Sequence, residues 1–271
     1  MKRKNAELTT QQLVMIIILI ISFVVILFLI FRLNLGETSN KEICHNSVIL
    51  KSKGKGLVGD LDCKTNYVCI SGGGKCEGIN PTETIKVNFE NKEEIMKAIA
   101  DEMADCWWMF GEGELGYIGV FEGGLVRRKT VCAICSIIKF DEKIQEAQKQ
   151  GISYKEFIDF LANETRNKNE RDTYLHYLYE VYEVKDLLDK FKIIKEDYET
   201  ERLIPFDRKY VIRTGQSTSP KVVEALKGIG RKIISIFSKE NKEIKVAIIF
   251  PYFFDVERDI EPRCDEFVTK A

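Results

Sequence analysis

The most distinctive pattern in the chain is a long apolar run near its N-terminus. Residues 13–31 contain no charged side chain, and Ser22 is their one polar member. A helix of about 19 residues is about 28 Å long, close to the bilayer hydrocarbon thickness of about 30 Å. A soluble core helix seldom lacks a polar face over this length. A signal peptide usually has a shorter apolar run and a small-residue cleavage site. The pattern therefore predicts an uncleaved membrane anchor over residues 13–35.

Basic residues near the two ends of this run predict its orientation. Lys2, Arg3 and Lys4 precede it, whereas Arg32 and Lys41 follow it among acidic residues. Basic residues favour the cytoplasmic side of a membrane. We therefore expect a single-pass signal-anchor protein of the cell membrane, with residues 1–12 inside and the C-terminal domain outside.

Beyond the anchor, the periodicity predicts an α+β ectodomain over residues 82–271. Residues 84–89 alternate as a strand does, and Asn91 with Glu94 favours a helix to about residue 110. Residues 117–140 are typical of a hairpin around Gly123-Gly124. Asp141 as an N-cap and Ser153 with Glu156 as a capping box favour helices over 141–150 and 153–162, and residues 172–191 are typical of a further helix. A strand at 209–213, a helix opened by Ser219-Pro220 with an apolar stripe that reaches Ile233 and Phe237, and a strand at 244–250 favour a C-terminal βαβ unit.

The amino-acid composition bears on which partners the chain binds and on which compartment it occupies. Lysine plus arginine (41) balance aspartate plus glutamate (42), so no charge excess points to nucleic acid. Two histidines are too few for a His-rich metal site, and we predict no cofactor. Eight cysteines favour an oxidising compartment, in agreement with the predicted orientation.

Half of the cysteines lie in residues 36–81, among glycine-rich turns and short β-prone runs such as residues 48–50. We interpret this stretch as a small disulfide-rich module. A zinc site would normally have pairs of cysteines with two to four residues between them. Here five residues lie between Cys63 and Cys69, and six lie between Cys69 and Cys76. Four cysteines permit three pairings, and the sequence leaves them open. The four are Cys44, Cys63, Cys69 and Cys76.

Cys132 and Cys135 form a C-x-x-C pair, the arrangement of thiol–disulfide oxidoreductases. Those enzymes place the first cysteine at a helix N-terminus, but the β-branched neighbours here predict a strand. Residues three apart on a strand point to opposite faces. We therefore expect these two cysteines to pair with Cys106 and Cys264, and retain the oxidoreductase as an alternative function.

Three further groups of residues have both a functional and a structural interpretation. Asp101, Glu102, Asp105, Glu112 and Glu114 are interpreted as a solvated helix face rather than catalytic carboxylates. Trp108 lies off the apolar stripe of its helix, so it is either covered by the following glycine-rich loop or exposed as an interaction residue. The polar loop before a helix N-terminus, with Arg213, Thr214, Ser217 and Thr218, is a weak anion-binding candidate.

Two sequence features resemble archaeal proteins. The basic start, the polar stretch of residues 7–12 and the apolar helix are similar to the leader of archaeal pilin-like proteins, although Asn5 rather than a basic residue precedes Ala6. The stretches DLDCKTNYVCISGGGKC and ADEMADCWWMFGEGE resemble uncharacterised archaeal membrane-anchored proteins. No activity follows from either resemblance.

The sequence therefore favours a membrane-anchored extracytoplasmic structural or protein-interaction domain with an envelope or surface protein partner. A thiol–disulfide enzyme and an anion or small-ligand sensor are the alternatives. Asn163-Glu164-Thr165 is the one N-x-[ST] sequence without proline, and is a candidate glycan site.

Overall fold

A computed structural model describes residues 10–32, 39–53, 60–118, 129–167, 171–220, 233–237, 243–255 and 264–270. The chain divides into two compact units, Met1–Ser39 and Asn40–Ala271. The second unit contains both helices and sheets and four disulfides. The predicted α+β class is therefore confirmed for this unit.

The described part of the first unit is one helix, α1 (Thr10–Arg32). Its side chains are described from Val14 to Ile26, and the large apolar ones among them are exposed. The Ser22 hydroxyl donates to the Ile18 carbonyl at 2.8 Å. Among the described residues, no helix meets the combined length and apolarity required of a membrane-crossing segment.

The helices of the second unit begin where the sequence offers caps. Asn91 accepts hydrogen bonds from two backbone N–H groups at the start of α3 (Lys92–Met109), and Ser153 with Glu156 forms the predicted capping box of α5 (Tyr154–Asn163). The predicted helix over residues 172–191 is instead two helices, because Glu180 adopts a left-handed conformation that ends the first. The helices are α2 (Asn40–Lys53), α3 (Lys92–Met109), α4 (Glu142–Ala147), α5 (Tyr154–Asn163), α6 (Tyr174–Tyr179), α7 (Val184–Lys190) and α8 (Lys192–Glu199).

The described strands form one large mixed sheet and two small ones. The strands are β1 (Cys63–Lys64), β2 (Asn66–Ser71), β3 (Glu83–Lys86), β4 (Thr130–Phe140), β5 (Ile152–Ser153), β6 (Leu203–Ile204), β7 (Tyr210–Ser217), β8 (Ile233–Phe237), β9 (Glu243–Asp255), β10 (Glu266–Phe267) and β11 (Thr269–Lys270). The large sheet has the order β3-β2-β4-β7-β9-β8, and β10 pairs with β4. β2 is parallel to β3 and β4, whereas β7, β9 and β8 continue the sheet antiparallel.

The predicted C-terminal βαβ unit is wrong. β7 and β9 are antiparallel neighbours, whereas a βαβ unit joins parallel strands. Ile233 and Phe237, which we assigned to a helical stripe, lie in strand β8. Residues four apart share one face of a strand as well as one face of a helix, so their spacing did not distinguish the two. Residues 221–232 and the predicted turn at 123–124 lie outside the described residues.

One strand of the cysteine-rich stretch, β2, belongs to the main sheet, whereas β1 pairs with β11 in a small sheet. β2 lies between β3 and β4 in the sheet of the Asn40–Ala271 unit. The run at 48–50, which we interpreted as β-prone, belongs to helix α2. Cys44 and Val48 are both buried there, on one face of the helix.

A buried carboxylate connects the end of β4 to the loop after β2. Asp141 is fully buried, and its two oxygens accept hydrogen bonds from Gly74 N (2.6 Å), the Ser71 hydroxyl (2.9 Å) and Ile144 N (3.0 Å). Burial raises the pKa of the Asp141 carboxyl, but these donors outweigh it and hold the pKa below its ordinary value.

We expect Asp141→Asn to destabilise the chain by about 2 kcal/mol at neutral pH, because an amide nitrogen would face backbone donors. A lowered folded-state pKa contributes stability that is complete above the ordinary value of 3.8 and is lost as pH falls through the folded-state value. The difference between wild type and variant should therefore shrink below about pH 4. Thermal unfolding of the full-length chain at pH 7 and pH 2.5 measures it. Asp207→Asn, at an exposed position, is the control; an equal effect there would refute the role of Asp141.

Candidate functional site

All eight cysteines form disulfides. Cys44–Cys63 joins α2 to β1, and Cys69–Cys76 closes the loop after β2. The two cysteines of the C-x-x-C sequence have separate partners: Cys135 bonds Cys106, and Cys132 bonds Cys264. Both are at most 1% exposed. This is the pairing with Cys106 and Cys264 that strand geometry predicts.

A β-bulge in β4 makes two adjacent residues available to helix α3. The register between β4 and β7 shifts between Ile134 and Ser136, so Cys135 is the extra residue of the bulge. In a regular strand, consecutive side chains point to opposite faces; a bulge re-aims one of them. Cys135 therefore reaches Cys106, and the Ser136 hydroxyl donates to Glu102 Oε2 at 2.6 Å.

Glu102 is the centre of a largely buried charge network. Its side chain is 2% exposed, and its second oxygen is 2.6 Å from Lys41 Nζ. Lys41 also contacts Asp105 at 2.9 Å and Glu83 at 3.1 Å, and Asp105 forms an ion pair with Arg166. We interpreted Glu102 as part of a solvated helix face; that interpretation is wrong, because its charge partner comes from another helix, α2.

Burial and the neighbouring charges shift the pKa values of Lys41 and Glu102 in opposite directions. Burial lowers the pKa of Lys41, but the carboxylates of Glu102 and Asp105 more than reverse this and raise it above its ordinary value. Burial raises the pKa of Glu102, and the ion pair with Lys41 offsets only part of that rise. The network is therefore a charged contact between α2 and α3 that depends on Lys41.

One helical turn beyond Lys41, His45 packs on Trp108. The two rings are stacked, with centroids 4.0 Å apart and planes inclined by 13°. The His45 Nδ1–H donates to the Trp108 carbonyl oxygen at 2.7 Å, because a carbonyl only accepts. That carbonyl belongs to the last turn of α3, where Gly111 N also bonds it at 2.9 Å. His45 thus caps the C-terminus of α3.

These side chains define what we call the α2–α3 surface: Lys41, His45, Asp105, Trp108 and Arg166. All five are partly exposed. Trp108 packs against the core on one side and lies against His45 on the other, so it is neither fully covered nor fully exposed. Tryptophan and arginine are enriched where protein interfaces gain most of their binding energy. The arrangement is suited to contact with another protein.

The weak anion-binding candidate is not a loop. Arg213, Thr214 and Ser217 lie in strand β7, and Thr214 and Ser217 are at most 1% exposed. The Ser217 and Thr130 hydroxyls are hydrogen-bonded at 2.8 Å, and Thr218 Oγ1 accepts from Lys129 N at 3.2 Å. We interpreted the polar composition as a loop, but neighbouring strands and Lys129 satisfy these groups within the fold.

Among the described residues, no cluster of three or more His, Cys, Asp or Glu side chains has a metal-binding arrangement. The sequence did not indicate roles for Lys41, His45, Ser136 and Arg166 in the candidate site. Around Lys41 and His45, the spacing of the buried Cys44 and Val48 fits a strand as well as a helix, so it did not place them on a helix. Nothing in the local sequence connects Ser136 or Arg166 with α3.

Comparison of the chain with protein-family models, curated proteins and solved structures finds no match.

We expect Lys41→Met to destabilise the chain by about 3 kcal/mol at pH 7, because it leaves the Glu102 carboxylate buried without its cation. The pKa of Glu102 in the folded chain is raised above its ordinary value. The stability that this shift gives is present at low pH and is lost as pH rises through the folded-state pKa. The loss should therefore be smaller at pH 4 than at pH 7. Thermal unfolding at the two pH values tests this.

The control is Lys53→Met on the same helix, since Lys53 is exposed at the end of α2. A change there of less than about 0.5 kcal/mol is expected. Equal losses in the two variants, or no loss in Lys41→Met, would contradict the role of the charge network.

Replacing one cysteine of the C-x-x-C sequence should identify its partner. In Cys132→Ser, alkylation under non-reducing, denaturing conditions should label Cys264, because that residue loses its partner. A Cys132–Cys135 disulfide would instead release Cys135. Peptide mass spectrometry distinguishes the two. In the matched variant Cys135→Ser, the label should appear on Cys106.

Proposed function

We propose that the chain is a membrane-anchored extracytoplasmic domain that binds a protein partner of the cell envelope through the α2–α3 surface. The observation that carries this proposal is the Trp108–His45 stack beside the Lys41–Asp105–Arg166 ion pairs, held on a disulfide-bonded frame.

The anchor rests on the first unit and its sequence. The side chains described for α1, from Val14 to Ile26, cover about 20 Å of helix, and the sequence extends the apolar run from residue 13 to residue 31. The large apolar side chains from Val14 to Ile26 are between 47% and 69% exposed, which is unfavourable in water and favourable in lipid. Ser22 bonds within its own helix, as polar groups in lipid must.

The exterior location rests on the cysteines and on the flanking charges. Disulfides persist in oxidising compartments and are rare where thiols are kept reduced. Four disulfides, among them one that joins residues 132 positions apart, fit a domain outside the cytoplasm. The excess of basic residues before the apolar run supports the same orientation.

A binding role is favoured over the two alternatives by specific contacts. An exchange enzyme needs an accessible thiolate or a disulfide between its two active cysteines, but Cys132 and Cys135 are buried and have different partners. Three of the four residues of the anion-sensor alternative, Arg213, Thr214 and Ser217, lie in β7, where Thr214 and Ser217 are buried. By contrast, Trp108 and Arg166 of the α2–α3 surface are partly exposed to solvent.

The proposal is tested by photo-crosslinking in intact cells that produce the full-length chain. Trp108 is replaced by the photoreactive aromatic residue p-benzoylphenylalanine. Irradiation should link the chain to one discrete protein, and protease added outside the cells should degrade the linked product. Arg166→Glu in the same background should reduce the product several-fold, because it reverses the charge that pairs with Asp105.

The control carries the same photoreactive residue at Lys149. Lys149 directly follows Gln148, the C-cap of α4. The Gln148 side chain donates to the Phe89 carbonyl, just before α3 begins. Trp108 lies at the other end of α3, a helix of 18 residues and therefore about 27 Å long. A crosslink of equal yield from Lys149, or a product that external protease does not reach, would contradict the proposal.

A further inference from the structure

The sequence contains two N-x-[ST] stretches, and they differ in one respect that matters for modification. Asn80-Pro81-Thr82 has proline in the middle position, which blocks it as an acceptor of N-linked glycan. Asn163-Glu164-Thr165 has glutamate there. Only the second is a competent acceptor by sequence, so its structural setting decides whether the acceptor amide is accessible.

Asn163 is the last residue of α5, and the chain leaves the helix directly after it. Asn163 and Glu164 are both exposed, and Glu164 is extended, with φ −102° and ψ 149°. The acceptor thus lies at the outer end of a helix, at the start of the polar connection to α6. A bulky, hydrated group at this position displaces none of the buried core.

The hydrogen bonds of the acceptor also leave room for a sugar. Asn163 Nδ2 donates to the Asp159 carbonyl at 2.7 Å, within its own helix. An amide nitrogen carries two hydrogens, so one remains available for replacement while the bond to Asp159 is kept. The Thr165 hydroxyl bonds the Asn167 carbonyl at 3.0 Å, in the same exposed connection.

We propose that Asn163 is an N-glycosylation site of this protein. The proposal rests on the extracytoplasmic location proposed above. The donor is a lipid-linked oligosaccharide whose first sugar is esterified to phosphate. A bond forms between Nδ2 and the sugar C1, the bond between C1 and the phosphate oxygen breaks, and the lipid phosphate leaves. One amide proton passes to solvent, and nothing is oxidised or reduced.

The test is mass spectrometry of the full-length chain purified from its own cells. The reduced chain should be heavier than its sequence by whole sugar residues, and the added mass should lie on the peptide that contains Asn163. Asn163→Gln and Thr165→Ala should each remove all of it. Thr165→Ser should retain it, because serine keeps the hydroxyl.

Pro81→Ala is the control for location, because it converts the exposed Asn80 into a second acceptor. A glycan on Asn80 in this variant with none on Asn163 would overturn the Asn163 site while leaving the proposed exterior location intact. Absence of sugar from both positions would contradict the exterior location and the glycan together. Sugar on both would support both.

Discussion

Helix α3 is attached to strand β4 at two adjacent points, and the arrangement of the α2–α3 surface depends on this double attachment. Glu102 and Cys106 are one helical turn apart on α3, and their partners, Ser136 and Cys135, are consecutive in β4. A regular strand would direct only one of two consecutive side chains toward the helix. The bulge at Cys135 permits both contacts, so an irregularity of one residue lets α3 bond β4 at two points.

The position of α2 follows from the same contact. Once Glu102 is buried against the sheet, its carboxylate requires a nearby cation, and Lys41 supplies it from the first turn of α2. Cys44–Cys63 holds the next turn of the helix to β1. His45 then lies over Trp108 and bonds the last turn of α3. Along α2, Lys41 is thus held by an ion pair, Cys44 by a disulfide and His45 by a ring stack.

The disulfides and the exposed side chains have different roles in the proposed function. Seven of the eight disulfide cysteines are buried and Cys264 is partly exposed; the disulfides stabilise the fold mainly by restricting the unfolded chain, in the chain-entropy view. Cys132–Cys264 is important in this respect because it joins residues 132 positions apart and brings β10 beside β4. The partner is proposed to meet instead the aromatic and charged groups of the α2–α3 surface, which such a frame holds in a constant geometry. Preorganisation of this kind lowers the entropy lost on binding.

The sequence by itself determined those properties that depend on neighbouring residues. The caps at Asn91, Asp141 and Ser153 begin helices as predicted, since a cap involves only one turn of backbone. The separate partners of Cys132 and Cys135 followed from strand alternation alone. The tertiary structure decided what depends on distant residues: the burial of Glu102 opposite Lys41, the strand direction that excludes a βαβ unit, and the inclusion of Thr214 and Ser217 in a sheet. In each of these cases a polar or ambiguous residue has its partner on another element, and the local pattern contains no information about that partner.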